Sequence, residues 1–372
     1  MKIIYVIGLR GIYRASKRYR VYNLVQALTQ NNIQAISKYE FDKDLISQDF
    51  LRQYDLIVFF KAHFSQHIAK IVENARRCRM PIIFDIDDLL FDENITPTVD
   101  SIVEWDEKKK AVHMVSANRY QRVIELCDFT TSSTQYLKNK LAQKFGKESF
   151  VIPNGLNKRQ IEIANWIKEE KPLDLKKKKQ IIIGYLSGTL THRKDFSQIV
   201  PSLCRILNEY PNVYLKIVGH LDFNEFPLLT KYKFRIIRKG FVNWEQLILE
   251  TKNVDINLAP LEIGNPFCEA KSELKYFEAA LVEVPSVVSG TNTFCNCIED
   301  KRNGLISVTT EDWYQNLKLL IEDQELYQTI IMNAQIHIRD TYYPDKIADT
   351  AMGIYETIIK SYSTVGSAVI TE

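Results

Sequence analysis

The strongest constraint on how this chain can fold is a rhythm. Short apolar runs alternate with helix-period segments through the first 170 residues, stop at a lysine-rich stretch, and then resume. The first run, Lys2 to Gly8, is apolar and ends in glycine. Val21, Leu24, Val25 and Leu28 then recur at i, i+3, i+4 and i+7, the stripe of a helix packed on a sheet, with Ser16 expected as its N-cap. Further strands are predicted at Ile33 to Ser37, Asp55 to Phe60, Pro81 to Asp85, Asp128 to Ser132 and Phe150 to Pro153. Alternation of this kind predicts an α/β protein with a parallel sheet covered by helices on both faces.

The stretch Lys171 to Gln180 is dense in lysine and unsuited to a core, so it is read as an exposed linker. Beyond it strands are predicted at Ile181 to Leu186, Val213 to Val218, Phe234 to Arg238, Asp255 to Ala259 and Pro285 to Ser289, with helices at Phe196 to Glu209 and Trp244 to Thr251. The pattern from Glu311 to Tyr362 is helical, with Trp313, Leu317, Leu320 and Ile321 on one face. Two doubly wound domains in tandem account for this better than one large sheet. A length of 372 residues also suits two domains of about 150 residues each. The boundaries expected are 1–170, a linker at 171–180, 181–345, a helix at 346–362 that crosses back to the first domain, and a flexible tail at 363–372.

Composition excludes several classes. With 45% hydrophobic residues, 26% charged and 13 glycines, the chain is neither collagen-like nor disordered. A net charge of +3 gives no reason to expect nucleic acid as a partner. Six cysteines without a CxxC pair fit a reducing cytoplasm. No run reaches the length of a spanning helix, and Ile3 to Ile7 is too short for a signal sequence, so any membrane contact is expected to be peripheral.

Two tandem sheets would place their strand-to-helix loops around one cleft, where open α/β sheets bind ligands. The loop from Gly8 to Arg20 holds Gly11, Ser16, Arg18 and Arg20, and suits a phosphorylated ligand because glycines admit close approach while arginines neutralise charge. It is neither GxGxxG nor a Walker loop. The segment Gly184 to Phe196 repeats the plan, with Gly188, Thr189, His192, Arg193 and Lys194 ahead of a helix. A third loop, Gly264 to Ala280, enters a helix on which Lys271, Lys275 and Glu278 are expected near one face. Cations toward a helix start oppose its dipole, a conflict that an anion bound there would ease; the alternative, surface lysines on an amphipathic helix, suits Lys275 and Glu273 better than Lys271, which follows closely on the Asn-Pro loop.

Pro153-Asn-Gly155, the segment Gly184 to Phe196, and Glu269-Ala-Lys-Ser272 followed by Lys275-Tyr-Phe-Glu278-Ala-Ala280 and Val284-Pro285 resemble retaining nucleotide-sugar glycosyltransferases of the GT-B fold, family 4 type. Within these, Tyr185-Leu-Ser-Gly-Thr-Leu-Thr-His192 and Asp85-Ile-Asp-Asp-Leu-Leu-Phe91 resemble a bacterial surface-polysaccharide branch. The resemblance implies a donor site at Gly188, Thr189, His192, Lys194, Val242, Asn265, Glu269, Lys271, Ser272 and Glu278. In it Lys194 holds the donor diphosphate, Glu278 the ribose hydroxyls, and the turn Gly240 to Val242 the base. Thr189 stands where many relatives carry a second cation, leaving Arg193, or Arg18 and Arg20, as the substitute. Ala270 stands where the partner of Glu278 is usual, leaving Asn265, Glu269 and Lys271 as candidates for holding the sugar.

The resemblance implies transfer of a sugar from a nucleoside diphosphate sugar to a hydroxyl of a growing glycan, with retention, no cofactor and no metal. Lys194 and Arg193 would stabilise the leaving diphosphate. Asp85, Asp87 and Asp88 could ligate magnesium through water, but the tandem architecture favours cleft-lining carboxylates, with Asp85 or Asp88 orienting or deprotonating the acceptor hydroxyl. His63 and His67 lack a third zinc ligand. A nucleotide-sugar epimerase and a catalytically silent sugar-nucleotide or glycan-binding subunit are the alternatives. Met1 to Tyr39 holds seven basic residues and no acidic one. A lipid-linked glycan acceptor would bring this edge to an anionic membrane surface, unless the arginines face inward to hold phosphate, as expected first of Arg18 and Arg20.

Overall fold

The computed structural model describes residues 1–8, 14–94, 107–167, 175, 178–186, 193–221 and 223–368. Its twelve named strands form two parallel sheets. The first contains β1 (Lys2–Ile7), β2 (Gln34–Tyr39), β3 (Leu56–Phe60), β4 (Ile82–Ile86), β5 (Phe129–Ser132) and β6 (Ser149–Val151), in the order β2-β1-β3-β4-β5-β6. The second contains β7 (Ile181–Leu186), β8 (Val213–Val218), β9 (Ile236–Lys239), β10 (Ile256–Ala259), β11 (Ser286–Ser289) and β12 (Leu305–Ser307), in the order β12-β11-β10-β7-β8-β9. Strand order reverses between β1 and β3 in one sheet and between β7 and β10 in the other. These are the points where such sheets open a crevice.

The apolar runs are central strands because helices cover both of their faces. Ile3 to Ile7 and Leu56 to Phe60 are at most 1% exposed. β1 and β3 approach so closely past their ends that a Cβ on Gly8 would lie 2.1 Å from the Ala62 Cα, so only glycine fits there. The edge strand β12 escaped the sequence reading because three residues are too few to show a period.

Several expected helices are divided. The first runs as an α-turn at Arg14–Lys17, a π-helical segment at Arg18–Asn23 and an α-helix at Leu24–Gln30, so Ser16 lies inside it and does not cap it. Phe196 to Glu209 divides into Arg193–Ser197 and Val200–Glu209, and the carboxyl-terminal helical stretch into Thr310–Glu322, Gln324–Thr341 and Pro344–Ala368. β9 begins at Ile236 because a 3-10 helix occupies Pro227–Arg235. The linker is not wholly exposed: Leu175 is buried in the second core, and Lys178 Nζ pairs with Asp255 Oδ1 at 2.5 Å. The rest of it, 171–174 and 176–177, lies outside the described residues.

The last helix returns to the first domain. Ile347, Ala348, Ala351, Tyr355 and Ile358 join the core beneath β1 and β3, and the Tyr355 and Tyr5 hydroxyls share a hydrogen bond of 2.6 Å. Between the sheets, Tyr19 and Leu156 pack with Phe277, Leu281 and Tyr342 in one apolar cluster. The two halves therefore share buried surface.

Candidate active site

Polar contacts between the domains come from residues that follow strands on both sides. Thr134 follows β5, Asn154 follows β6 and Asp88 follows β4, while Ala270, Lys271 and Ser272 lie in the connection after β10. Asn154 Nδ2 donates to Ser272 Oγ at 2.9 Å, and Thr134 Oγ1 to the Ala270 carbonyl at 3.4 Å. The carboxyl ends of the two sheets face each other here.

Asp85 closes β4 and is 3% exposed. Arg20 Nε and Nη2 reach its two oxygens at 3.0 and 2.6 Å, and Thr131 Oγ1 donates to Oδ2 at 2.7 Å. Arg20 also donates to the Ile152 carbonyl and to Asn154 Oδ1. A buried bidentate pair with its remaining donors satisfied ties β4, β6 and the first helix together. This revises two expectations: Asp85 is no base for an acceptor hydroxyl, and Arg20 is no phosphate ligand, because each is fully engaged by the other.

Asp88 belongs to a second cluster whose centre the sequence reading missed. Lys61 follows β3 with a φ of 45°, a left-handed conformation that costs a non-glycine residue free energy, and it is fully buried. Its ammonium lies 2.8 Å from Asp88 Oδ2, 2.5 Å from Asp87 Oδ1 and 3.2 Å from Ser16 Oγ. The other Asp88 oxygen accepts from Lys271 Nζ at 2.8 Å, which makes an ion pair across the cleft. Burial opposes the Asp88 charge, but Lys271 and Lys61 outweigh it and hold the carboxyl well below the usual range. Asp88 is thus a weak base able to orient a hydroxyl. Asp87 and Asp88 carry lysine charge where a metal ion would need free oxygens. The one available signal was a lysine closing the apolar run Leu56 to Phe60.

Glu278 forms the third cluster. It accepts from the Tyr19 hydroxyl, with Arg18 Nη2 at 3.6 Å and Gln160 Nε2 at 3.4 Å. Arg18 stacks over the rings of Tyr19 at 4.5 Å and Trp244 at 4.7 Å, and its Nε and Nη1 are buried without hydrogen-bond partners. Burial pushes the Glu278 carboxyl upward, and Arg18 and Tyr19 offset only part of this. The π-helical segment at Arg18–Asn23 sets Tyr19 and Arg20 inward together. Such segments often occur at functional sites.

The remaining expected residues divide between framework and cleft. Glu269 accepts backbone N–H groups from Gly264 at 2.8 Å and Asn292 at 2.6 Å, so both oxygens brace loops. Asn265 caps the short helix Pro266–Glu269. Lys271 falls outside the helix Leu274–Leu281 that carries Glu278, because the helical pattern breaks between them, and it does not share the expected face. Val242 packs on the apolar interdomain cluster. Arg193 and Lys194 open the helix Arg193–Ser197 and are exposed, with Arg193 Nε 3.4 Å from Glu225 Oε2. Asp195 between them and the core accepts the Glu262 N–H at 3.0 Å. Gly11, Gly188, Thr189 and His192 lie outside the described residues. His63 and His67 diverge, His63 toward Ser116 Oγ at 2.9 Å and the Tyr120 ring, His67 toward Phe41.

The family model described as "Glycosyl transferases group 1" matches residues 167–337, which span the whole second sheet. The matched segment resembles group 1 glycosyltransferases, and within it lie Arg193, Lys194, Lys271 and Glu278. The alpha-monoglucosyldiacylglycerol synthase of Acholeplasma laidlawii is 23% identical over 242 residues, 63% of this chain and 59% of the length of that relative. The fold is shared with an Anabaena protein, HepE, solved in complex with UDP, at a TM-score of 0.62 and 16% identity over 96% of this chain and 100% of that one. It is shared equally with the sucrose-phosphate synthase of Thermosynechococcus elongatus, at a TM-score of 0.62 and 13% identity over 97% and 100% of the two chains. The fold is accordingly GT-B, with the second sheet inside the matched segment and the first sheet formed by residues before 167.

Proposed function

We propose that this protein transfers a sugar from a nucleoside diphosphate sugar to a hydroxyl of a growing glycan, with retention at the anomeric carbon and without a metal. The observation that carries the reading is that the helix opened by Arg193 and Lys194 follows β7 and the helix bearing Glu278 follows β10, the two strands at the switch point of the second sheet, within the segment that the glycosyltransferase model matches. A buried carboxylate beside Tyr19 can take two ribose hydroxyls in place of the phenol. Exposed cations at a helix start can take the diphosphate. As the glycosidic bond breaks, negative charge grows on the leaving diphosphate, and preorganised cations stabilise it in proportion. The complex of HepE with UDP supports a nucleotide donor for this architecture.

On the acceptor side, Asp88 would accept a hydrogen bond from the incoming hydroxyl while Lys61 and Lys271 fix its orientation. The acceptor we propose is a lipid-linked glycan of surface-polysaccharide assembly, which places the reaction at the cytoplasmic face of the cell membrane. Among the described residues no helix is long and apolar enough to cross a membrane. Surface contact would rest on few charges, since Arg18 and Arg20 point inward, Lys17 is buried, and Lys38 pairs with Asp42 and Asp44.

The donor site is tested by steady-state kinetics on Lys194→Ala and Glu278→Ala. Each is expected to weaken donor use at least about tenfold, the loss of one charge-assisted contact of about 1.4 kcal/mol or more, in a chain that remains folded by circular dichroism. Wild-type kinetics in both variants would remove these residues from the site.

A further inference from the structure

One buried charge near the cleft has no role in any contact described above. Lys275 stands in the first turn of the helix Leu274–Leu281, and its ammonium is shielded from solvent without a hydrogen-bond partner. Its recorded neighbour is the Tyr185 ring, whose centroid lies 4.6 Å away. An ammonium brings three donors, and burying all three unsatisfied is among the costlier things a fold can do. A surface lysine would have swung its flexible stem to water.

Its position gives the charge a use. Tyr185 is the penultimate residue of β7, at the carboxyl end that opens on the crevice between β7 and β10. Glu278 lies three residues further along the same helix, hence on the same face. Arg193 and Lys194 begin the helix that follows β7. The groups facing Lys275 are Tyr185 from β7, Asp195 from the helix Arg193–Ser197, Cys268 from the helix Pro266–Glu269, Lys271 from the connection, and Glu278 from its own helix. The acid that acts most strongly on it, Asp195, already accepts through Oδ1 from the Glu262 N–H and the Cys268 thiol. Among the described residues no anion is hydrogen-bonded to the ammonium.

We propose that Lys275 completes the donor site, its ammonium receiving an oxygen of the donor diphosphate between the cations of the Arg193 helix and the carboxylate of Glu278. The inference rests on the nucleotide-sugar reading above and adds to it a residue for which the sequence left an anion-facing and a surface position both open. In the empty site, burial lowers the Lys275 amine to about 8, against a smaller opposing pull from Asp195. A bound diphosphate would favour the charged form, so binding near pH 8 must draw a proton onto the protein.

Isothermal titration of the intact chain with UDP, GDP and ADP, in pairs of buffers of differing ionisation enthalpy, measures that proton directly. The nucleotide that binds should take up about half a proton at pH 8, where the free amine is half protonated and the diphosphate fully ionised, and close to none at pH 6.5–7 from this residue. Lys275→Met should bind it at least tenfold more weakly, show no uptake at pH 8, and leave binding of the corresponding nucleoside unchanged. It should also unfold at a higher temperature, whereas a lysine retained for packing would lose stability on replacement. Nucleotide binding by the wild type without proton uptake at pH 8, or equal binding by Lys275→Met, overturns the inference and leaves the nucleotide-sugar reading standing. Failure of the wild type to bind any of the three nucleotides overturns both.

Discussion

At the scale of single residues, the charged groups of the cleft divide into those paired with one another and those that keep a buried atom without a hydrogen-bond partner. Arg20 and Asp85 satisfy one another, and so do Lys61 and Asp88. Arg18, Lys275 and Glu273 each retain a buried polar atom without a hydrogen-bond partner. Glu273 precedes the Glu278 helix and is 6% exposed, and burial raises its carboxyl. A carboxyl raised in the folded state holds its proton more tightly there than in the unfolded chain. Its contribution favours folding below the unfolded value of 4.5 and is lost as pH rises through the folded value. Glu273→Gln cannot ionise, so it is expected to raise the unfolding midpoint at pH 7 and to lose that advantage below about pH 4.5. Thermal melts across this range check the sign. An advantage that persisted unchanged at pH 3 would mean that ionisation is not the cause.

At the scale of elements, the site depends on where strands stop and helices break. Gly8 lets β1 end against Ala62. Gly8→Ala would drive a methyl group into backbone 2.1 Å away, so it should cost at least the ~1–3 kcal/mol of an overpacked core. Urea unfolding of the variant measures this, and a loss below about 0.5 kcal/mol, the usual range of surface substitutions, would show the strands free to part. The same elements show what could be read in advance. Apolar runs such as Leu56 to Phe60 announce buried parallel strands because each side chain must be apolar when both faces are covered. The helix carrying Glu278 is likewise legible from its period. The π-helical segment at Arg18–Asn23 is not, since one inserted residue leaves composition unchanged while rotating Tyr19 and Arg20 inward. Nor is the break between Glu269 and Leu274, which separates Lys271 from Glu278. Lys61 was missed, and the surface reading of Lys275 stayed open, for a related reason: lysine is ordinarily exposed, and only tertiary packing reveals that these two ammonium groups are shielded.

At the scale of the whole molecule, two sheets with facing carboxyl ends are joined by apolar packing around Tyr19, by the Asp88–Lys271 pair, and by a last helix that returns to the first domain. On the proposed reading, chemistry in this cleft is electrostatic, with cations to meet the leaving group and with Asp87 and Asp88 already paired with lysine. Treatment with EDTA is therefore expected to leave most of the turnover intact. Abolition by chelator, with recovery on adding magnesium or manganese, would require Asp87 and Asp88 to release Lys61 and hold metal. The central claim is acceptor-dependent transfer, and it is tested most directly by incubating the protein with a panel of nucleoside diphosphate sugars, with and without lipid-linked glycan acceptors, while following free nucleoside diphosphate and the fate of the sugar. The account predicts diphosphate release that rises with acceptor, and a product in which the sugar keeps its anomeric configuration. A sugar altered while acceptor is absent, or donor binding without any release under every pairing, would contradict it.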